Sequence, residues 1–379
     1  PPDRRLIKVM HVITGDLYAG AERVQDLLAS RLPEFGYEVT FACLKEGAFQ
    51  QRLLASSRDV RSIVMKSRLD IASTTRGLVA HARNSGAELI HTHTVRGALL
   101  GSLTALITGL PMVHHVHSPT ARDTTNRWGN RLNTVVEKLS LRRACALIPV
   151  SNSLAHYLAE CGHPDTRIST VHNGVPASDL SALRVAGRPL TIGMVALFRP
   201  RKGIEVLLHA MSHLMKQGLS IQLRAVGQFE NSTYRQQVMS LSEQLGLSSC
   251  VEWRGFRADV LPELTHMDVL VLPSLFGEGL PMVVLEAMAV GLPVVASAVE
   301  GLPEAIRDGD EGLLVPPDNP VALAMALISL VEEPQLANRM GIAGRQRQRE
   351  MFSDAAMARD VSGIYGRVLA RGSTRQSAT

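Results

Sequence analysis

Val269-Leu-Val-Leu-Pro273-Ser-Leu-Phe-Gly277-Glu278-Gly279-Leu280-Pro281-Met282-Val-Val-Leu-Glu286-Ala-Met-Ala-Val290-Gly-Leu-Pro-Val294-Val-Ala-Ser297 reads as strand, glycine loop, helix and strand. The run Val269–Pro273 has no polar alternation, so its strand is buried on both faces, as in a parallel sheet covered by helices. Met282–Val290 is the crossover helix, and Val294–Ser297 is the next parallel strand. This unit fixes the rhythm for the rest of the chain.

Working outward, the alternation extends both ways. Upstream lie strands Thr191–Ala196, Ile221–Val226 and Val251–Trp253, with helices Ile204–Gln217 and Tyr234–Leu245. An earlier series has strands Leu6–Thr14, Glu38–Ala42, Leu89–His93, Met112–His117 and Ala146–Val150. Its helices are Ala21–Leu32, Val95–Thr108, Asn130–Arg143 and Asn152–Cys161. Asn173–Pro189, rich in Gly, Pro, Ser and Ala without periodicity, separates the two series as a linker. The spacing predicts two doubly wound α/β domains facing across a cleft, with ligands outside the carboxyl ends of the strands. The expected divisions are residues 1–180, residues 186–355, a helix over 356–372 returning to the first domain, and a disordered tail over 373–379.

Composition agrees with a large core: 379 residues, 45% hydrophobic and 20% charged, too apolar for disorder. Four scattered cysteines without a C-x-x-C pair exclude a zinc ribbon and a disulfide scaffold, and point to a reduced cytoplasmic setting. No signal peptide is read at the N-terminus. The uncharged stretch Gly97–Val113, cut by Gly109 and Pro111, is too short for a bilayer span. Net charge is +7 over residues 1–185 and −2 over 186–379. A basic first half suits an acidic substrate or an anionic membrane surface. Nucleic acid is not expected, since aromatics are only 4% and no stacking module is present.

The chemistry centres on the opening stretch. A helix starting near Pro281 presents first-turn N–H groups and a positive dipole end to a phosphate, and the glycines before it allow close approach. Glu278 stands in front of that anion site and Glu286 behind it, with five residues of helix rise spanning ~7–8 Å. Carboxylates accept from sugar hydroxyls while amides take phosphates, which is the layout of a nucleotide-sugar site. An exposed, inert Glu286 is disfavoured by its neighbours Val283, Val284, Leu285 and Met288. The loop after Gly15 has no G-x-G-x-x-G, and no G-x-x-x-x-G-K-[ST] occurs, so a dehydrogenase and a P-loop NTPase are both excluded.

E-x7-E followed by Ala-Met-Ala, Gly291-Leu-Pro-Val-Val-Ala-Ser and Gly301-Leu-Pro-Glu304 closely resembles the retaining glycosyltransferases of the group 1 family (family 4), which have the GT-B fold. Tyr18-Ala-Gly20-Ala-Glu22-Arg, Ile90-His-Thr-His93, Val150-Ser151, Val171-His-Asn173-Gly174-Val and Phe198-Arg199-Pro-Arg-Lys202-Gly203 extend the resemblance along nearly the whole chain. It implies Glu278, His117, Arg199 and Lys202 as catalytic residues. As donor-binding residues it implies Gly15, Gly20, Arg199, Lys202, Glu278, Gly279, Leu280, Pro281, Met282 and Glu286. Glu278 would contact the transferred sugar, Glu286 the ribose, and Arg199 with Lys202 the leaving diphosphate. Departures are Ala19 for the first glycine of a pair, Gly227-Gln-Phe-Glu for Gly-x-Gly-Pro, Pro176 for Asp, and Leu280-Pro281 for Phe-Gly.

Histidines crowd residues 91–117. His91, His93, His115 and His117 have the period-two spacing that puts each pair on one strand face. No carboxylate alternates among them and no H-E-x-x-H occurs, so no metal is expected. By resemblance His117 touches the donor sugar or acceptor, with His115 most easily confused with it; His91, His93 and His114 are expected as packing residues. The basic segment Arg122–Arg143, with Trp128, suits peripheral contact with an anionic membrane, or an ordinary solvated helix.

The resemblance thus implies a cytoplasmic, metal-independent retaining glycosyltransferase without cofactor. It would move a sugar from a UDP-, GDP- or ADP-sugar to a glycan or lipid-linked hydroxyl acceptor. The alternatives are a GT-B epimerase or sugar phosphorylase, or a non-catalytic nucleotide-sugar-binding subunit. Base, sugar and acceptor leave no side-chain signature.

Overall fold

The computed structural model describes residues 5–16, 18–67, 70–120, 127–182 and 189–376. Contacts divide the chain into two compact units, residues 1–173 with 354–379, and residues 174–353.

The first unit carries strands β1 (Ile7–Ile13), β2 (Tyr37–Cys43), β3 (Val60–Ser62), β4 (Leu89–Thr92), β5 (Met112–Val116) and β6 (Ala146–Pro149). Helices α1 (Gly20–Arg31), α2 (Ala48–Ala55), α3 (Ile71–Ser85), α4 (Val95–Thr108), α5 (Arg127–Leu141) and α6 (Asn152–Glu160) connect them. The all-parallel sheet has the order β3-β2-β1-β4-β5-β6. Side-chain caps set the helix starts: Thr94 accepts from Gly97 N, and Ser151 from Leu154 N. Gly109 closes α4 in the left-handed region at φ 74°.

The second unit repeats the pattern with β7 (Leu190–Val195), β8 (Ile221–Val226), β9 (Val251–Gly255), β10 (Val269–Leu272), β11 (Val294–Ser297) and β12 (Gly312–Val315). Its helices are α7 (Ile204–Lys216), α8 (Ser232–Gln244), α9 (Leu261–Leu264), α10 (Met282–Ala289), α11 (Leu302–Ala305), α12 (Pro320–Glu332) and α13 (Pro334–Met351). The order β12-β11-β10-β7-β8-β9 is the same doubly wound arrangement counted from the other edge. All four residues of β10 are buried, as its unbroken apolar run requires. Leu207, Met211, Leu223, Val271 and Leu327 belong to the core between sheet and helices.

Strand order reverses at β1/β4 in one unit and at β7/β10 in the other, and these switch points are where an open α/β sheet binds ligands. After β7 comes the basic turn Arg199–Gly203, and after β10 the Gly277–Pro281 loop. The topology therefore sets the two most informative motifs side by side.

Several sequence expectations change. The chain past Asn173 does not run free as a linker. Val175 N donates to Phe352 O (2.9 Å), Gln348 Nε2 to Val175 O (2.8 Å) and Ala182 N to Val290 O (3.0 Å). The boundary consequently falls at 173/174 rather than 180/186, and residues 183–188 lie outside the described residues. The last helix, α14 (Asp354–Gln376), starts before 356 and continues through 373–376, where a disordered tail was expected; 377–379 lie outside the described residues. Arg31 fastens its first turn to the N-terminal unit through Asp354 (2.8 Å). Short β3 and β12, and helices α2 and α3, escape the sequence reading.

Candidate functional site

The second unit builds its site on one glycine. Gly203 adopts φ 71°, and a Cβ there would meet the Pro273 carbonyl oxygen at 2.0 Å. Only glycine lets the basic turn lie against the end of β10. Leu275 N donates to Arg201 O (2.8 Å), joining the two loops again.

Glu278 is the centre of what this brings together, and it is 4% exposed. Its Oε1 accepts from Lys202 Nζ and from Ser274 Oγ (2.6 Å), with Arg201 3.9 Å away. Its own amide donates to Glu300 Oε2 (2.7 Å), and its carbonyl accepts from Gly301 N (3.2 Å). Burial alone would raise the Glu278 carboxyl, but the charges of Lys202 and Arg201 and the bonds from Lys202 and Ser274 hold it below its ordinary value. Burial lowers Lys202, with the Glu278 charge opposing. The pair stays ionised, and three ammonium donors let Lys202 hold Glu278 and a phosphate together.

Arg201 and Glu300 escaped the sequence reading. Arg201 is 6% exposed and donates to Gly277 O (2.8 Å) and Phe276 O (3.3 Å), so it shapes the glycine loop. Its position inside the Arg199–Lys202 turn was the available signal. Glu300 sits at φ 42°, an unfavourable conformation for glutamate, which it adopts while receiving the Glu278 amide. It borders the Gly301-Leu-Pro-Glu304 block, the one hint in the sequence.

Helix α10 begins one residue later than its proline suggests. Pro281 is the extended cap (φ −70°, ψ 124°), its carbonyl receives Val284 N (3.2 Å), and Met282 opens the helix. No side chain caps α10, which leaves first-turn N–H groups for an anion. Gly277 takes φ 81°, and Gly279 and Leu280 lead from it into the cap. Glu286 is 3% exposed, so it is not a solvated helix carboxylate. Arg199 caps the basic turn in an extended conformation.

In the first unit, Gly15 turns at φ 89° against Cys43 and the Lys45 carbonyl. Gly20 opens α1, where Glu22 Oε2 accepts from Ala19 N (3.3 Å). Burial raises the Glu22 carboxyl to about 7. His117 follows β5 with Nε2 3.1 Å from His93 Nδ1, and burial lowers it to about 4, leaving a neutral imidazole. Sequence reasoning also missed His11 and Tyr365, which join the same imidazole group (His11 Nε2 to Tyr365 Oη, 3.2 Å).

Two doubly wound parallel units, each with its loops gathered at a switch point, define the GT-B class of two-domain α/β proteins. HepE of Anabaena, solved in complex with UDP-glucose, superposes with TM-score 0.86 at 20% identity over 95% of this chain and 99% of that one. The family model described as glycosyl transferases group 1 matches residues 179–347, and that described as Glycosyltransferase Family 4 matches residues 18–179. Alpha-maltose-1-phosphate synthase of Mycolicibacterium smegmatis is 32% identical over 75% of this chain and 80% of its own length. This chain belongs to the group 1 glycosyltransferase family. The putative colanic acid biosynthesis glycosyltransferase WcaL of Salmonella typhimurium is 30% identical over 59% of this chain, and the match spans 57% of that relative's length.

Proposed function

We propose that this protein is a retaining glycosyltransferase that moves a sugar from a nucleoside-diphosphate sugar to a hydroxyl acceptor in cell-surface polysaccharide, lipopolysaccharide or glycolipid biosynthesis. One observation carries the reading: the Lys202–Glu278 pair, braced by Arg201 and Ser274, stands at the β7/β10 switch point beside the uncapped start of α10. A diphosphate suits the cations and the helix amides, and a hydroxyl-rich sugar suits the carboxylate.

In this mechanism the diphosphate leaves from the face at which the acceptor hydroxyl enters. Arg199, Lys202 and the first amides of α10 meet the developing charge in place of a metal cofactor. The departing phosphate oxygen takes the proton of the incoming hydroxyl. Glu278 orients the sugar, and Glu286 the ribose. Gly279, Leu280, Pro281 and Met282 carry the backbone past the phosphates. Gly15, Gly20 and His117 are the first unit's contribution to donor and acceptor contact.

Among the described residues no single helix is long and apolar enough to cross a membrane. A peripheral position at the inner face is part of this proposal, supported by α5. That helix exposes Val135 (56%) and Leu139 (57%) on the stripe that carries Arg131. Arg122 lies outside the described residues. Flotation with anionic vesicles tests it: co-migration regardless of lipid charge, or none at all, refutes it.

A thermal-shift panel of UDP-, GDP- and ADP-sugars, followed by identification of the linkage formed, tests the reaction. Stabilisation by one donor, then an α-linked product lost in Glu278→Ala, is expected. Equal donor hydrolysis by wild type and Glu278→Ala favours a non-catalytic binding role instead.

A further inference from the structure

Three neighbouring parallel strands of the first unit bring five histidines onto one face. His11 on β1 and His91 on β4 are Cα partners. Period-two alternation sets His93 beyond His91 just past β4, and alongside β5 supplies His115, with His117 just past its end. The rings lie face against face or edge: His91/His93 at 4.1 Å, His11/His91 and His115/His117 at 4.6 Å, and His93/His115 at 5.5 Å between centroids. His11, His91 and His115 are fully buried, His93 is 4% exposed, and His117 sits half-buried at the edge.

A hydrogen-bonded chain threads four of them. Tyr365 Oη lies 2.6 Å from His91 Nδ1 and 3.2 Å from His11 Nε2; His11 Nδ1 lies 3.2 Å from His93 Nε2. His115 stands outside the chain. Among the described residues neither of its ring nitrogens has a hydrogen-bond partner, although the side chain is 0% exposed. A neutral imidazole carries one donor and one acceptor, and sealing both away from water with nothing to bond is unfavourable. An apolar ring would pack there equally well, so the two nitrogens ask for a ligand.

We propose that His93, His115 and His117 form a binding site for a divalent transition metal of the zinc type. One nitrogen from each lies within 4.8 Å of the others. The 3.1 Å between His93 Nδ1 and His117 Nε2 is close to the edge of a tetrahedron built with metal–nitrogen bonds of about 2.0–2.1 Å. Three histidines with an open fourth position make a complete zinc ligand set without carboxylate. With Nδ1 given to the metal, His93 donates its Nε2–H to His11, and Tyr365 and His91 continue that outer shell, as ligating histidines require. Burial keeps these imidazoles neutral, which is the form that binds. A second triad, His11, His91 and His93, is equally compact and would compete for His93, but it holds no histidine that, like His115, has both ring nitrogens without a partner among the described residues. From the sequence, His91, His93, His115 and His117 taken together predict no metal, for want of an alternating carboxylate or an H-E-x-x-H; three imidazoles make a zinc set without either. The site shares His117 with the contact proposed above and uses none of the residues assigned to the diphosphate.

The test reads metal binding directly, without turnover. The full chain, stripped with chelator, is titrated with Co2+ while its visible d–d bands are followed, and Zn2+ then competes. One equivalent of tetrahedral Co2+, displaced by Zn2+, is expected. His115→Phe keeps the stacked ring, deletes both nitrogens, and should weaken binding at least about 100-fold while matching the stripped wild type in thermal stability. If that variant fails to fold, His117→Phe at the half-buried edge must show the same loss. No stoichiometric uptake, or equal uptake by wild type and variant through exposed histidines such as His156 and His266, would overturn the proposal.

Discussion

Glu278→Ala separates the structural role of this carboxylate from its chemical one. The side chains of Glu278, Arg201 and Lys202 are 5%, 7% and 14% exposed, so the substitution leaves two cations in a site with little water. Removing one partner of a buried ion pair costs about 3–5 kcal/mol, and the slight solvent access of Lys202 argues for the lower end, about 3 kcal/mol. For a unit of this size that lowers Tm by roughly 6–12 °C. Scanning calorimetry of the full chain should show the loss in the transition of the second unit. Glu278→Ala combined with Lys202→Met should recover part of it, because the orphaned charge goes too. The nucleoside diphosphate of whichever donor the thermal-shift panel selects should narrow the gap at saturation, since a diphosphate supplies the missing counter-charge, and its affinity should hold or rise. Glycosyl transfer should fall ~10²–10³-fold, the scale of one preorganised electrostatic contact. A variant melting within about 2 °C of wild type, or one that loses binding of that nucleoside diphosphate together with transfer, would refute the reasoning.

Gly203→Ala forces a Cβ to within 2.0 Å of the Pro273 carbonyl at φ 71°, and should cost about 2–5 kcal/mol with weakened nucleotide binding. Gly218→Ala, at φ 82° with nothing within 4 Å, bears only the conformational part, about 1–2 kcal/mol; urea melts of the two should differ accordingly. Glu300→Gly relieves the strained φ of 42° but removes the acceptor for the Glu278 amide. Its stability should therefore change by less than about 1 kcal/mol while transfer slows, seen as lower kcat at similar KM. The Glu22 carboxyl is held near 7 against an ordinary 4.5, so the folded chain binds a proton that the unfolded chain releases. Its contribution is present in full below pH 4.5 and is lost as pH rises through 7, about 3 kcal/mol in all. Glu22→Gln should flatten stability over that window, and an unchanged slope in urea melts between pH 5 and pH 7.5 would contradict the assignment.

The sequence by itself determined the two doubly wound series, the strand–loop–helix stretch at 269–297, and the existence of a basic turn and of an acidic loop. These are legible because periodicity, glycine and proline act within a few residues of chain. Arg201 and Glu300 were not legible, since their partners lie 76 and 22 residues away and only the pairing of β10 with β7 on one side and with β11 on the other brings them close. The unit boundary moved for the same reason: bonds from Val175 to Phe352 and from Gln348 to Val175 are long-range, and composition alone suggested a free linker. The imidazole group shows the limit most clearly. Each pair had a readable spacing, but convergence of His11, His91, His93, His115 and His117 depends on the order β1-β4-β5 and on α14 returning Tyr365. Local pattern sets which face a side chain takes; sheet order decides which faces meet.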